Sequence, residues 1–286
     1  MYLTTAPGLD HARRSGWQHL RLGLTMVHHQ FFGTDGGTYS PADKTYFSDL
    51  LALHGVAFQP ALLAGTRTTF RDMMEGLMPA LRRFGGELDV VVQVSCTADA
   101  EPGWPMPYLS ASAASSGLLF GISEQGPTVP FTALLVGSDV AEVDGAGRCV
   151  VVAMDQASVH HAEPVPDRLR ASRNSAVVLV LDEAATHGRV AVQHRTGVAP
   201  DAVGEILAGV LAATPATVVC GPELATHSAA GWHVAEPGLP CTGVWAMLAD
   251  RFDQLRAAGT RTVIADYCRE LGYLGLCAVE WAPDAR

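Results

Sequence analysis

Apolar positions along the chain recur at two different spacings. Phe70, Met73, Met74, Leu77, Met78 and Leu81 follow the i, i+3, i+4, i+7 rule of a helix with one buried stripe. Thr69 is placed to cap that helix, and Gly85 and Gly86 to end it. Short, nearly continuous apolar runs predict strands buried on both faces at "LDVVVQVSC" (88–96), "LLFGIS" (118–123), "RCVVVAM" (148–154) and "SAVVLVLDE" (175–183). Between them a small-residue helix is expected over 107–116, and a longer one over 128–144 that stops at "DGAGR". The alternation then repeats in shorter form. "RVAVQHR" (189–195) reads as a strand, and Asp201 begins a helix with Val203, Ile206, Leu207, Val210 and Leu211 on one side. "ATVVCG" is a strand, and "CTGVWAMLADRFDQLRAAG" is one helix with Trp245, Leu248, Phe252 and Leu255 in register. "TRTVIADY" and "LGLCAVEW" are two further strands. Before residue 68 the pattern is irregular: a strand over 20–29, the turn "GTDGG" and a short helix around "ADKTYFSDLLALHG".

Strands alternating with helices, many of them apolar on both faces, define an α/β protein whose sheet is covered on both sides. Two passes of the same order predict an internally duplicated architecture. The halves would be residues 1–184, of which 1–67 fit least well, and a shortened 185–286.

Composition narrows the function classes. The 286 residues are 48% apolar and 17% charged, as expected of a soluble globular protein. A net charge of −10 without any Lys/Arg cluster argues against binding nucleic acid. The longest apolar runs fall far short of the ~20 residues of a membrane span, and no signal-peptide pattern opens the sequence, so a cytoplasmic protein without membrane contact is expected. The six cysteines show no C-x-x-C spacing and sit mostly in apolar strands, which points to core thiols rather than disulfides or zinc. The adjacent pairs His28/His29 and His160/His161 point different ways from the backbone and cannot share one metal, so no metal site is expected. Nucleotide, dinucleotide and nucleophile-elbow motifs are absent from the sequence.

One stretch invites chemistry and then withholds it. In "FGISEQGPTVPFTALL" (120–135) a strand runs through a loop into a helix, whose free N–H groups and dipole end suit a nucleophile. Yet no Cys, Ser or His stands at its start. The stretch resembles the F-D-I-S-x-x-C-S-G-F-x-Y-A-L element of thiolase-fold ketosynthases, most closely the ketoacyl synthase III branch. Counting from Phe120 puts the family's nucleophilic cysteine at Gly126, and counting back from Leu134 puts it at Pro127. Over residues 68–281 further segments match by position. "VVVQVSCTADAEPGWPMP" resembles the family's strand ending in T-x-T-P-D, and "RCVVVAMD" its V-L-V-V-G-x-D/E strand. "SRNSAVVLVLDE" stands at F-G-D-G-A-G-A-V-V-L, and "TRTVIADYCRELGYLGLCAVEW" resembles the final glycine-rich hairpin with its glycines replaced. The family's His falls in "TVVCGPELA", at Gly221 or Pro222, and its Asn in "GLPCTGVWAML", at Leu239 or Pro240.

The resemblance implies a five-layer α-β-α-β-α fold with a degenerate triad, represented by Pro127, Pro222 and Pro240. A proline has neither a thiol nor an N–H for an oxyanion, so no acyl-enzyme can form at such a position. The expected role is a non-catalytic subunit paired with an active ketosynthase, or with a second copy, through an edge strand carrying Leu118, Leu119, Phe120 and Ile122. An acyl carrier protein is a further expected partner, and no cofactor is implied. Two other readings stand beside it: a divergent acyltransferase using Cys241 or Cys96 with His227 as base, and a homodimeric module that binds acyl chains or carrier proteins.

Overall fold

The computed structural model describes residues 16–83, 87–102, 117–158, 160, 165–183 and 187–282. Its strands are β1 (Gln18–His19), β2 (Gly23–Phe32), β3 (Val90–Ser95), β4 (Leu118–Ser123), β5 (Arg148–Asp155), β6 (Asn174–Asp182), β7 (Gly188–Arg195), β8 (Thr217–Cys220), β9 (His233–Val234), β10 (Thr262–Cys268) and β11 (Tyr273–Trp281). They run β4-β3-β5-β6-β2-β7-β11-β10-β8-β9, with β1 added against β7. Counted from its own first strand, each run of five has the order 3-2-4-5-1. The fifth strand is antiparallel to both of its neighbours in each run. The strands of the outer pairs, β4-β3-β5 and β10-β8-β9, are parallel. The two runs meet at a single pairing, Leu24 with Gly188.

Period-2 alternation explains how each sheet is covered on both faces. In the first run Val90, Val92, Val94, Val151, Ala153, Val177, Leu179 and Leu181 face inward. Val91, Val150, Val152, Met154, Ala176, Val178 and Val180 face outward, onto Met73, Met74, Leu77 and Met78 of the helix expected there. The helices are α1 (Pro41–Leu53), α2 (Phe70–Arg83), α3 (Val129–Val143), α4 (Val203–Ala212), α5 (Gly243–Asp250) and α6 (Phe252–Ala258). Helices α3 and α5 fill the middle layer, where Phe131 and Trp245 pack with ring centroids 5.0 Å apart. On the far side α4 lays Val203 and Leu207 over Val218, Cys220, Ala265 and Leu276 of the second run. The layers therefore read α2, sheet, α3 with α5, sheet, α4: the five-layer thiolase-like fold.

Two expectations on helices are adjusted. The single helix expected through 241–259 breaks at Arg251 (φ −111°, ψ 7°), which turns Phe252 onto Trp281 and His187 at ring-centroid distances of 5.3 and 5.8 Å. Short 3-10 turns, Gly126–Thr128 and Pro200–Ala202, precede α3 and α4. The helix expected over 107–116, the glycine stop at 85–86, His161 and the boundary at 184–185 lie outside the described residues. No helix among the described residues is long and apolar enough to cross a membrane. No cluster that could hold a metal occurs among them.

Candidate functional site: a proline-lined cavity

After β4 the chain turns through Glu124 (φ 65°) and Gly126 (φ 55°) before entering α3. A glutamate in the left-handed region is strained, and only the turn it makes explains its keeping that backbone. The turn is tied down by hydroxyls. Thr128 Oγ1 donates to Gln125 O at 2.9 Å, and Thr132 Oγ1 to Gln125 Oε1 at 2.5 Å. His194 Nε2 on β7 stands 3.2 Å from Thr128 Oγ1, and burial pushes the imidazole down to about 4, so it is neutral at physiological pH.

Pro127 faces a cavity of about 80 Å3 that Pro222 and Pro240 also line. The three residues that the resemblance sets at the triad positions thus line one hollow. Pro237, Gly238, Leu239, Val244 and Leu169 complete its apolar wall. Arg168, Pro222 and Pro237 form an exposed rim, and the floor, at Pro127, Pro240, Asp266 and Cys268, is buried.

The floor carries two groups that sequence reasoning missed. A Cβ built at Gly126 would stand 2.7 Å from Cys268 Sγ, and one built at Gly221 would collide with the Asp266 carboxyl. The resemblance gives Gly126 and Gly221 as alternative places for the family's Cys and His. A thiol and a carboxyl from β10 therefore fill the space that side chains at those two positions would take. Residues 266 and 268 are two apart on a strand and so face the same way. The available signal was an Asp placed two residues before a Cys in the otherwise apolar "TVIADYC".

Both groups are pushed toward their protonated forms. Burial pushes Asp266 well above the carboxylate range, with Glu223 and Asp155 adding to it against one opposing bond, Tyr267 N–H to Oδ1 at 2.9 Å. Among the described residues nothing donates to its Oδ2. Burial also raises the Cys268 thiol, whose Sγ lies 3.7 Å from Glu270 Oε2. Glu270 is ion-paired with Arg168 at the rim, and Glu223 with Arg269 at 3.5 Å.

Beneath the cavity Asp155 anchors the Pro240 loop. Its carboxylate accepts from Cys241 N at 3.0 Å, Thr242 N at 2.8 Å and Thr242 Oγ1 at 2.6 Å. Burial raises this carboxyl to about 6, and the same hydrogen bonds restrain the rise.

The residues expected as alternative nucleophiles are not brought to the cavity. Cys241 and Cys96 hydrogen-bond to each other, and Cys241 Sγ also reaches Val94 O at 3.7 Å. Burial raises the Cys241 thiol, while for Cys96 the bond to Cys241 is the larger cause and burial the second. Neither lines the hollow. His227 is exposed, with its ring against Gly204 of α4, and also lies outside it. Among the described residues β4 ends the sheet, with Leu118 48% exposed and Leu119, Phe120 and Ile122 half-buried.

In architecture the chain has the thiolase-like fold. Among solved structures it is similar to a 3-oxoacyl-(acyl-carrier protein) synthase from Burkholderia xenovorans LB400, at 13% identity over 95% of this chain and 97% of that one, with a TM-score of 0.64. It is similar to AbyA1, a tetronic acid condensing enzyme, at 14% identity over 91% and 99% of the two chains and a TM-score of 0.64. The acyltransferase ChlB3 matches at 16% identity over 94% and 99%, with a TM-score of 0.61. At such identities the likeness is one of fold. No protein-family model matches the chain, and no curated protein matches it in sequence.

Proposed function

We propose that the chain is a ketosynthase-like subunit that does not itself catalyse condensation and that pairs with an active β-ketoacyl synthase in fatty-acid-like, polyketide or other secondary-metabolite biosynthesis. The observation that carries this reading is the convergence of Pro127, Pro222 and Pro240 on one cavity. Decarboxylative condensation needs donors for an enolate and an oxyanion, and loss of one such donor typically costs ~10²-fold or more in rate. Here Pro127 has no N–H, and proline or glycine stands at the place of the imidazole. The assembly half of the reading rests on β4, whose apolar edge is unpaired among the described residues and needs a cover. An active ketosynthase with intact Cys, His and Asn is the proposed cover, a second copy of this chain is the alternative, and a carrier protein would dock on the pair.

The test is co-expression with a thiolase-fold ketosynthase followed by native mass spectrometry and a malonyl-thioester decarboxylation assay. A 1:1 complex that is lost in Phe120→Asp, together with an isolated chain that releases no carbon dioxide, is the expected result. Decarboxylation or condensation by the isolated chain overturns the non-condensing reading. A stable homodimer that takes no ketosynthase overturns the pairing.

A further inference from the structure

The floor of the cavity holds a thiol where a triad has been lost, and the geometry points to Cys268 as an acceptor that holds a short acyl group as a thioester, with the Asp266 carboxyl donating a hydrogen bond to the acyl oxygen. The inference rests on the reading of the chain as a thioester-handling scaffold and adds to it: losing condensation does not remove acyl transfer, which needs only a nucleophile and a donor for the oxyanion.

Four observations carry it. Cys268 Sγ occupies the side-chain space of Gly126, at the start of the central helix. Asp266 is 4% exposed and lines the same cavity, with Oδ1 held by Tyr267 N–H and no hydrogen bond to Oδ2 among the described residues, which leaves that oxygen for a ligand in the hollow. The walls are apolar, as an acyl chain requires, and the rim opens to solvent beside Arg168. The volume of about 80 Å3 suits a small group. It is several times the ~10–15 Å3 that admits a single water, room for a short acyl group.

The step balances without any oxidant or cofactor. Cys268 Sγ attacks the carbonyl carbon of an incoming acyl thioester, the new S–C bond forms, and the bond from that carbon to the departing sulfur breaks. Glu270, whose Oε2 is 3.7 Å from Sγ, takes the thiol proton and returns it to the leaving thiolate. The surrounding carboxyls and burial keep Cys268 as the thiol at neutral pH, so attack is slow and speeds up as pH rises. The product is a stoichiometric adduct.

Acetyl-coenzyme A and an acetylated carrier protein are incubated separately with the full chain, and intact mass, peptide mapping and carbon dioxide release from the malonyl forms are read in parallel. The expected result is a gain of one acetyl group mapped to Cys268, forming faster at pH 9 than at pH 7. It is absent in Cys268→Ala and present in Cys149→Ala, a core-thiol control. Whichever donor gives the adduct identifies the source. Asp266→Asn, which can still donate, is expected to acylate within a few-fold of the parent chain, whereas Asp266→Ala slows it about 10²-fold. Circular dichroism verifies that each variant folds. No adduct from either donor, or an adduct that survives Cys268→Ala, overturns the inference and leaves the non-condensing reading intact. Carbon dioxide release overturns that reading instead. Equal loss in Asp266→Asn and Asp266→Ala removes Asp266 from the role of donor.

Discussion

Gly126 limits what can be built at this site. Its φ of 55°, and a Cys268 Sγ only 2.7 Å from where a Cβ would stand, leave no room for a cysteine side chain. Gly126→Cys is therefore expected to cost about 1–3 kcal/mol in urea unfolding and to restore no condensation. His194 offers a second residue-scale prediction, in acid stability. Its folded pKa, near 4, lies below the usual 6.5, so between those values the unfolded chain binds more protons and stability rises with pH. Asp99 and Asp155, both raised to about 6 from 3.8, act in the opposite sense: between pH 4 and 6 the folded chain holds their protons, and stability falls as pH rises. The opposing slopes flatten the parent profile. His194→Gln removes the rising contribution, so its unfolding free energy is expected to fall more steeply from pH 4 to 6 than that of the parent chain, in urea titrations at each pH.

At the scale of elements, strand and helix order was legible because apolar period alone decides it. The valines of β3, β5 and β6 alternate between the two clusters, and α2 follows its stripe from Phe70 to Leu81. Its cap was legible too: Asp72 N–H donates to the Thr69 hydroxyl at 3.1 Å, and Thr69 N–H donates to Asp72 Oδ2 at 2.8 Å. The break at Arg251 was not, since it follows from the pull of Trp281 and His187 on Phe252, contacts that no local pattern encodes. The anchor of α5 was equally hidden, because the N–H groups of Cys241 and Thr242, just before the helix, are satisfied by Asp155, 86 and 87 residues away in sequence. Asp155→Ala would leave the N–H groups of Cys241 and Thr242 and the Thr242 hydroxyl without that acceptor. The hydroxyl still has Ser175 Oγ at 2.9 Å, so two buried N–H donors at ~1–3 kcal/mol each predict a loss of roughly 2 kcal/mol or more, read from the shift in urea midpoint.

At the scale of the whole molecule, duplication was readable from the two passes of alternation, whereas the floor of the cavity was not. Pro127, Pro222 and Pro240 stand out once a resemblance supplies positions to compare. Asp266 and Cys268 stand out only when β10 is laid beside β8 and under the start of α3, which brings residue 268 against residue 126. A linear reading treats Cys268 as one more core thiol. One further contact links the two halves. Trp17 packs among the outer residues of the second run, Gln18 and His19 pair with β7, and Leu20 N–H reaches Val190 O at 2.9 Å. Residues 17–20 thus work as a latch hooked into the opposite half, so that a nick in the connection between the halves would leave two pieces still fastened together.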